Sequence, residues 1–399
     1  MGFLTGPHDP AVRTDSRNDR EDRVSTSTER LDALRGGAAP VDHNARTVAA
    51  LAGNPGCDRR AVLDAAGISK RDTAVHLGHP APFGQSPFAL ARARSFEELV
   101  KADRCAHLLR LLRETLGLPI PAIAYVDVPQ AGGQATRELR HARTRKELRL
   151  AAESAVRDGS GDGTLVDHPL LTLPVAGHEV YLDPAVLAVQ AGGRFHIVEI
   201  KSFAVIDGAA DSAQVAAASR LSAVYVYALK AMFAAEGIDP GLVSHEVVLV
   251  CPKDFANHPT ATLLDVRLQL AALRRQLSRL TRIDRILDRL PSDLTFSLEQ
   301  SPAELARAVR TVEARYAPEC LSTCEMAYFC RSDARGCGSL EVLGRVTRDD
   351  LGGLDSVDAV LDLAAGDRRA SSEHAEIAEQ LHHVHAIYRA HATAEAVVA

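Results

Sequence analysis

The sequence predicts an α/β protein with a mixed sheet flanked by helices, on three observations. Residues 177–203, "GHEVYLDPAVLAVQAGGRFHIVEIKSF", carry two β-rich runs separated by "QAGG", a glycine turn suited to a hairpin. Residues 245–254, "HEVVLVCPKD", read as another short buried strand. Around these runs apolar residues recur at helical spacing, over 95–117 and from about Ser212 to Ala235. Helices and strands alternating in this order specify layers about a sheet.

The elements follow in chain order. Residues 1–45 are polar, charged and poor in periodic apolar positions, so a disordered tail is expected there. One domain is expected over 46–340 and a helical extension of two or three helices over 341–399. Helical periodicity begins at "ARTVAALAGNPGCDRRAVLDAAG" and is interrupted at Asn54-Pro55-Gly56, a turn signal just before Cys57. "SFEELVKADRCAHLLRLLRETLG", residues 95–117, is an amphipathic helix expected to end at Gly117. Over 267–290, leucines and isoleucines alternate with Arg274, Arg275, Arg279, Arg282, Arg285 and Arg289, the pattern of one long amphipathic helix. A further helix, "SPAELARAVRTVEARYA", leads into a group of cysteines.

Composition narrows the classes of function. With 46% hydrophobic and 25% charged residues over 399 positions, the chain can bury the core of an ordinary globular protein. A net charge of −6 gives no global positive field, so contact with phosphates must come from local patches. Two candidates are the basic stretches 136–150 and 267–290, although a solvated helix face accounts for such arginines equally well. No run of 18 apolar residues predicts a membrane span, and the N-terminus lacks the apolar core of a secretory signal; cytoplasmic residence is the expectation. No GxxxxGK[ST] motif encodes a nucleotide motor.

The hairpin carries chemistry. Only six of the 46 basic residues are lysines, yet Lys201 stands two positions after Glu199 in the apolar run "FHIVEIKSF". Side chains alternate along a strand, so Glu199 and Lys201 share one face and Val198 and Ile200 the other. Asp183, separated from Glu199 by fifteen residues and at the end of the first run, is brought alongside by the hairpin, and the two carboxylates can hold one hard cation such as Mg²⁺. The carbonyl of Ile200 offers a third oxygen, and Lys201 can orient water and offset charge on a phosphate.

D-x15-E-I-K on a hairpin flanked by helices resembles the core of the PD-(D/E)xK nuclease superfamily. The resemblance implies a restriction-endonuclease-like fold and hydrolysis of phosphodiester bonds with Mg²⁺ or Mn²⁺. Upstream, "FGQSPFALARARSFEELV" is similar to the first-helix motif of RecB-like nucleases, which makes Glu97 a further metal ligand, with Glu98 the runner-up. Phe96 stands where many such proteins carry a histidine. Downstream, "DSAQVAAASRLSAVYVYALKAM" resembles a helix carrying a glutamine and a tyrosine. Tyr225 fits the tyrosine; Arg220 holds the usual glutamine place, and Gln214 lies on the same side of the helix as Tyr225.

Four of seven cysteines fall within 18 residues, as Cys320, Cys324, Cys330 and Cys337, a usage that in a cytoplasmic chain reads as metal or cluster binding. Resemblance to the iron–sulfur branch of RecB-like nucleases, which includes CRISPR adaptation exonucleases and AddB-type subunits, implies a [4Fe–4S] cluster on Cys57, Cys320, Cys324 and Cys330. The local alternative is a Zn²⁺ or cluster site that uses Cys337 as the fourth ligand. Cys105 and Cys251 lie in apolar periodic runs and read as core. The resemblance covers roughly residues 54–337 and implies a DNA exonuclease in repair, recombination or phage defence, acting on single strands or ends beside a helicase or defence partner. Two alternatives remain open: an inactive nuclease-like subunit that binds nucleic acid, and a zinc-stabilised interaction protein.

Overall fold

The computed structural model describes residues 27–51, 54, 56–81, 87–116, 123–128, 134–158, 163–175, 178–189, 194–254, 256–280 and 283–398. The chain forms two compact units. One is made of residues 1–30, 39–55 and 84–289, the other of 31–38, 56–83 and 290–399. The helices used below are α1 (Ala45–Leu51), α2 (Asp58–Ala65), α3 (Lys70–His76), α4 (Pro87–Leu116), α5 (Gln134–Asp158), α6 (Ser212–Ala235), α7 (Arg267–Leu280), α8 (Pro302–Arg310), α9 (Ala327–Gly336), α10 (Val357–Ala365) and α11 (Ala375–Val398).

The first unit is an α/β layer structure. Its strands are β1 (Ile123–Asp127), β2 (Gly163–Asp167), β3 (Leu171–Val175), β4 (His178–Leu182), β5 (Val186–Val189), β6 (Phe195–Ile200), β7 (Glu246–Lys253) and β8 (His258–Asp265). Six of them form a mixed sheet in the order β1-β2-β5-β6-β7-β8, and β3 pairs with β4 in a separate ribbon. The β1–β2 and β6–β7 pairs are parallel and the others antiparallel, so β1, β2, β6 and β7 end, and β5 begins, at the same end of the sheet.

Alternation sorts the two faces. Val186, Val198, Val248 and Val250 face α4, where Phe96, Val100, Leu108 and Leu112 are buried against them. Leu249 and Cys251 look the other way, onto Ala218 of α6 and Phe203. On that same side Phe195 meets Phe233 of α6 edge to face, at 4.8 Å between ring centres. The sheet is thus covered on both sides, as a strand run without polar alternation requires.

The structure corrects the sequence reading in its details. The run 177–189 is two strands, not one: β4 pairs with β3 and β5 with β6, which leaves Asp183 in the joint between them. The "QAGG" turn, residues 190–193, lies outside the described residues. Helix α4 is broken at residues 102–105, where Asp103, Arg104 and Cys105 adopt left-handed backbone with φ of 51°, 56° and 64°. An unbroken helix in phase with Phe96 and Val100 would aim Arg104 and His107 at the sheet; the break rephases it so that Cys105, Leu108 and Leu112 are buried instead. Gly117 is outside the described residues. The arginine stretch is helical over Arg267–Leu280, where it buries Leu270, Leu273 and Leu277, and again over Asp284–Leu287; residues 281–282 lie outside the described residues.

Of the expected tail, residues 1–26 lie outside the described residues, and the part that is described begins with a helix. Residues 27–35 are helical with Leu31 and Leu34 buried, and the Leu34 carbonyl accepts the Phe296 N–H at 2.8 Å. That contact lies in the second, helical unit. Its helix α8 starts with a capping box from Ser301 and Glu304. Leu354, with Leu340, Leu363 of α10 and Ala378 of α11, forms a small apolar core at its C-terminal side. Among the described residues, no helix is long and apolar enough to cross a membrane.

Phe233→Ala is expected to destabilise the first unit by about 3–5 kcal/mol, read from the urea midpoint, because the ring is fully buried and its cavity cannot close over the sheet. A variant unfolding at the wild-type midpoint contradicts this packing.

Candidate functional site

Acidic groups gather where β1, β2 and β6 end. Asp127 and Asp167 close β1 and β2, Glu199 is one residue from the end of β6, and Asp183 stands three residues before β5. Carboxyl ends of strands are where open α/β sheets take ligands, because the backbone splays there and loops leave a crevice.

Glu199 is the most constrained of these acids. Its side chain is only 5% exposed, and its Oε1 is 2.5 Å from Lys201 Nζ. The Lys201 N–H donates to the Val250 carbonyl at 2.9 Å, which prolongs the β6–β7 ladder and holds Lys201 on the face of Glu199. Desolvating a carboxylate costs several kcal/mol unless a cation is held to it, and the strand geometry supplies one.

Asp183 is exposed, and Arg140 of α5 pairs with its Oδ1 at 2.7 Å. The same guanidinium donates to the His168 carbonyl through Nε at 3.0 Å and Nη2 at 2.8 Å, tying the joint before β5 to the end of β2. Val186 faces Val198 where the antiparallel pair begins, three residues after Asp183.

Tyr225, in the middle of α6, lies near three of the expected ligands, but among the described residues the carboxylates of Glu199, Asp183 and Glu97 do not all come within 4.8 Å of one another. The residue is buried, and its hydroxyl lies within electrostatic range of Glu199, Asp183 and Glu97. Burial first, then Glu199 and Asp183, and more weakly Glu97, push the phenol well above its ordinary value, while Arg46 opposes them. Its hydroxyl therefore stays protonated and can donate a hydrogen bond. Gln214 is exposed at the first turn of the same helix, where its N–H bonds the capping Asp211, and Arg220 is half-buried between them. Glu98 is exposed beside Glu97. Phe96 is 2% exposed within the apolar cluster against the sheet, so that position is packing and not a ligand.

A second group was missed from the sequence. Lys101, one turn after Glu97, pairs with Glu97 Oε1 at 2.7 Å and with Asp167 Oδ1 at 2.8 Å. Asp167 is 2% exposed and also accepts from the Tyr125 hydroxyl at 2.9 Å and from the His168 N–H at 2.9 Å. Burial penalises the Lys101 ammonium, but Glu97 and Asp167 outweigh it and hold its pKa above the ordinary lysine value. Asp127, Asp167 and His168 each bring one ligand atom within 4.8 Å of the others, with His168 Nδ1 at 3.1 Å from Asp127 Oδ1. The legible signals were an aspartate closing an apolar run in "GTLVDHP" and a lysine four residues after Glu97 on a helix. The contact between positions 101 and 167 left no trace in either run.

Every carboxylate of the group already has a partner. Lys101 serves Glu97 and Asp167, Arg140 serves Asp183, Lys201 serves Glu199, and His168 serves Asp127. A divalent cation entering here would exchange with these groups, and at Glu199 it would release the Lys201 ammonium.

The thiols form a second site, within the helical unit. Cys57 caps α2, Cys320 opens and Cys324 follows the single helical turn Cys320–Thr323, and Cys330 lies in α9. Cys57 and Cys320 are within electrostatic range of Cys330, and Cys57 and Cys324 of Arg60, so the four expected ligands share one neighbourhood. Burial raises Cys324 to about 12, against Arg60 and Lys70, and Cys330 to about 11, against Arg59. Among the described residues no three thiols come within 4.8 Å of one another. A tetrahedral Zn²⁺ with bonds near 2.3 Å needs sulfurs about 3.8 Å apart, so the spacing is wide for one zinc ion. Cys337 is exposed at the end of α9. Cys105 and Cys251 are buried in the core clusters and raised to about 12 by burial.

No protein-family model matches the chain, and no curated protein matches it.

Asp167→Ala leaves Lys101 buried with only the partly exposed Glu97, at an expected cost of about 3–5 kcal/mol. A lysine whose pKa rises on folding contributes fully below its unfolded value and loses that contribution only as pH rises through the folded one. The penalty read by urea denaturation should therefore be the same at about pH 6 and pH 9. An equally stable variant, or a penalty that vanishes across this range, contradicts the pairing.

Proposed function

We propose that this chain is a divalent-metal-dependent DNA nuclease of the PD-(D/E)xK, RecB-like type, with a restriction-endonuclease-like core and a [4Fe–4S] cluster on Cys57, Cys320, Cys324 and Cys330. The observation that supports the reading is Glu199, buried near the end of β6 with Lys201 held on it, and Tyr225 within electrostatic range of Glu199, Asp183 and Glu97. Asp183, Glu199 and Glu97 offer oxygen ligands suited to Mg²⁺ or Mn²⁺. Bound there, such an ion supplies Lewis-acid stabilisation of a phosphodiester and lowers the pKa of water.

The chain's own residues supply the rest. Lys201 leaves Glu199 and turns its ammonium to the phosphate, where charge develops. Tyr225, kept protonated by its acidic surroundings, donates to a substrate oxygen. Arg220 and Gln214, on the same helix, are the residues we assign to the DNA backbone. Exonuclease action on single strands or ends, and work beside a helicase or within a defence complex, follow from the resemblance. A second reading, an inactive nuclease-like subunit that binds DNA, is favoured by one observation: Phe96 is a core residue where related sites carry a histidine.

Purified protein given labelled single-stranded DNA and Mn²⁺ is expected to cleave it, to stop when the metal is chelated, and to lose about 10²–10³-fold in rate in Lys201→Ala. Wild-type protein that binds the DNA but cleaves neither single strands nor duplex ends overturns the enzyme reading in favour of the second.

A further inference from the structure

Charge is packed around the thiols more densely than the thiols themselves require. Arg59 and Arg60 follow Cys57 on the first turn of α2 and are 4% and 5% exposed, and Lys70 at the start of α3 is 7% exposed. Arg59 Nη1 donates to Cys330 Sγ at 3.2 Å, while its Nη2 lies 3.5 Å from Asp333 Oδ2, an acid shared with Arg310. Arg60 Nε donates to Asp64 Oδ2 at 3.2 Å, the ammonium of Lys70 pairs with the other Asp64 oxygen, and Glu325 stands 4.0 Å from Lys70. Four cations thus share three carboxylates.

Arg60 is the telling member. Its Nη1 is buried and has no hydrogen-bond partner among the described residues, although Cys57 and Cys324 both lie within its electrostatic range. Leaving a buried donor unmade costs about 1–3 kcal/mol, and more when it is charged. A neutral thiol is a weak acceptor, whereas a thiolate sulfur takes a charge-assisted bond. The pocket keeps a buried guanidinium N–H open within range of Cys57 and Cys324 and a second guanidinium bonded to Cys330; what complements them is an anion built on the sulfurs.

We infer that Arg59, Arg60 and Lys70 are a charge shell that neutralises an anionic cluster on Cys57, Cys320, Cys324 and Cys330 and raises its reduction potential. The inference rests on the cluster part of the reading above. Net charge and hydrogen bonds to sulfur set such potentials, because reduction adds one negative charge that nearby cations stabilise. The step is the transfer of one electron from a donor such as dithionite to the oxidised cluster. No bond forms or breaks, and no proton moves.

The test uses the full chain, purified anaerobically, with iron and sulfide assayed before a redox titration followed by electron paramagnetic resonance. Arg60→Gln is expected to hold iron with its one-electron equilibrium shifted at least tenfold toward the oxidised state, 59 mV, while Arg60→Lys stays within threefold of wild type. An iron-loaded Arg60→Gln protein at the wild-type potential overturns the inference alone. Should Arg60→Gln fail to hold iron, retention of iron and potential by Arg60→Lys supports the charge role. Loss of iron from both variants with helical content intact overturns it. Wild-type protein without iron or sulfide overturns the cluster reading and this inference with it, whereas DNA cleavage reports separately on the carboxylate site.

Discussion

A carboxylate buried at the end of a central strand is the constraint on which the first unit depends. Glu199 is 3% exposed, and β6 lies between β5 and β7, so the strand cannot move to let water reach it. The charge must be met from within the protein. Lys201 meets it directly, two residues on and on the same face, while Tyr225 of α6, within electrostatic range, keeps its proton and adds no second negative charge. Lys101 repeats this solution at the buried Asp167, and Arg140 pairs with Asp183 at the surface. The layers exist in part to hold charges that would otherwise be too costly to bury.

This arrangement also explains why the helices sit as they do. Helix α4 gives its apolar side to the valines of β5, β6 and β7, then breaks directly after Lys101. Left-handed backbone at three successive non-glycine residues is strained, and strain of this kind collects where a side chain has to be aimed. Helix α6 packs Ala218 and Phe233 on the opposite face and presents Tyr225 between them. Strand, kinked helix and straight helix together direct unlike groups at one end of the sheet. The arrangement suits a cation better than an apolar ligand.

Much of this was legible in local pattern. The strands β6 and β7, the hairpin of β5 with β6, helix α6 and the shared face of Glu199 and Lys201 follow from alternation and helical spacing alone. Cys251 in the core follows in the same way; Cys105 is in the core as expected, but through the break that rephases α4 and not through one continuous period. What escaped depends on long sequence separations or on exposed strands. Asp183 was assigned to the first hairpin strand, but a change of pairing partner between β4 and β5 is invisible in a run that stays apolar throughout. Strand β8, "HPTATLLD", is largely exposed at the sheet edge and lacks a buried repeat. The pairings of Lys101 with Asp167 and of Arg140 with Asp183 link residues more than 40 positions apart, and no local rule joins them. Leu31 and Leu34 were lost in a polar stretch because two apolar residues make too short a period to read.

The two sites share one principle, that buried charge of one sign prepares a place for the other. At the sheet the exchangeable partner is Lys201; at the thiols it is the open N–H of Arg60. The central claim concerns the sheet, and equilibrium binding of Mn²⁺, followed through the resonance of the free ion, measures it without reference to catalysis. The account expects one saturable site in the wild-type chain that Glu199→Gln loses while remaining folded. Equal binding by both proteins, or none by either, contradicts it.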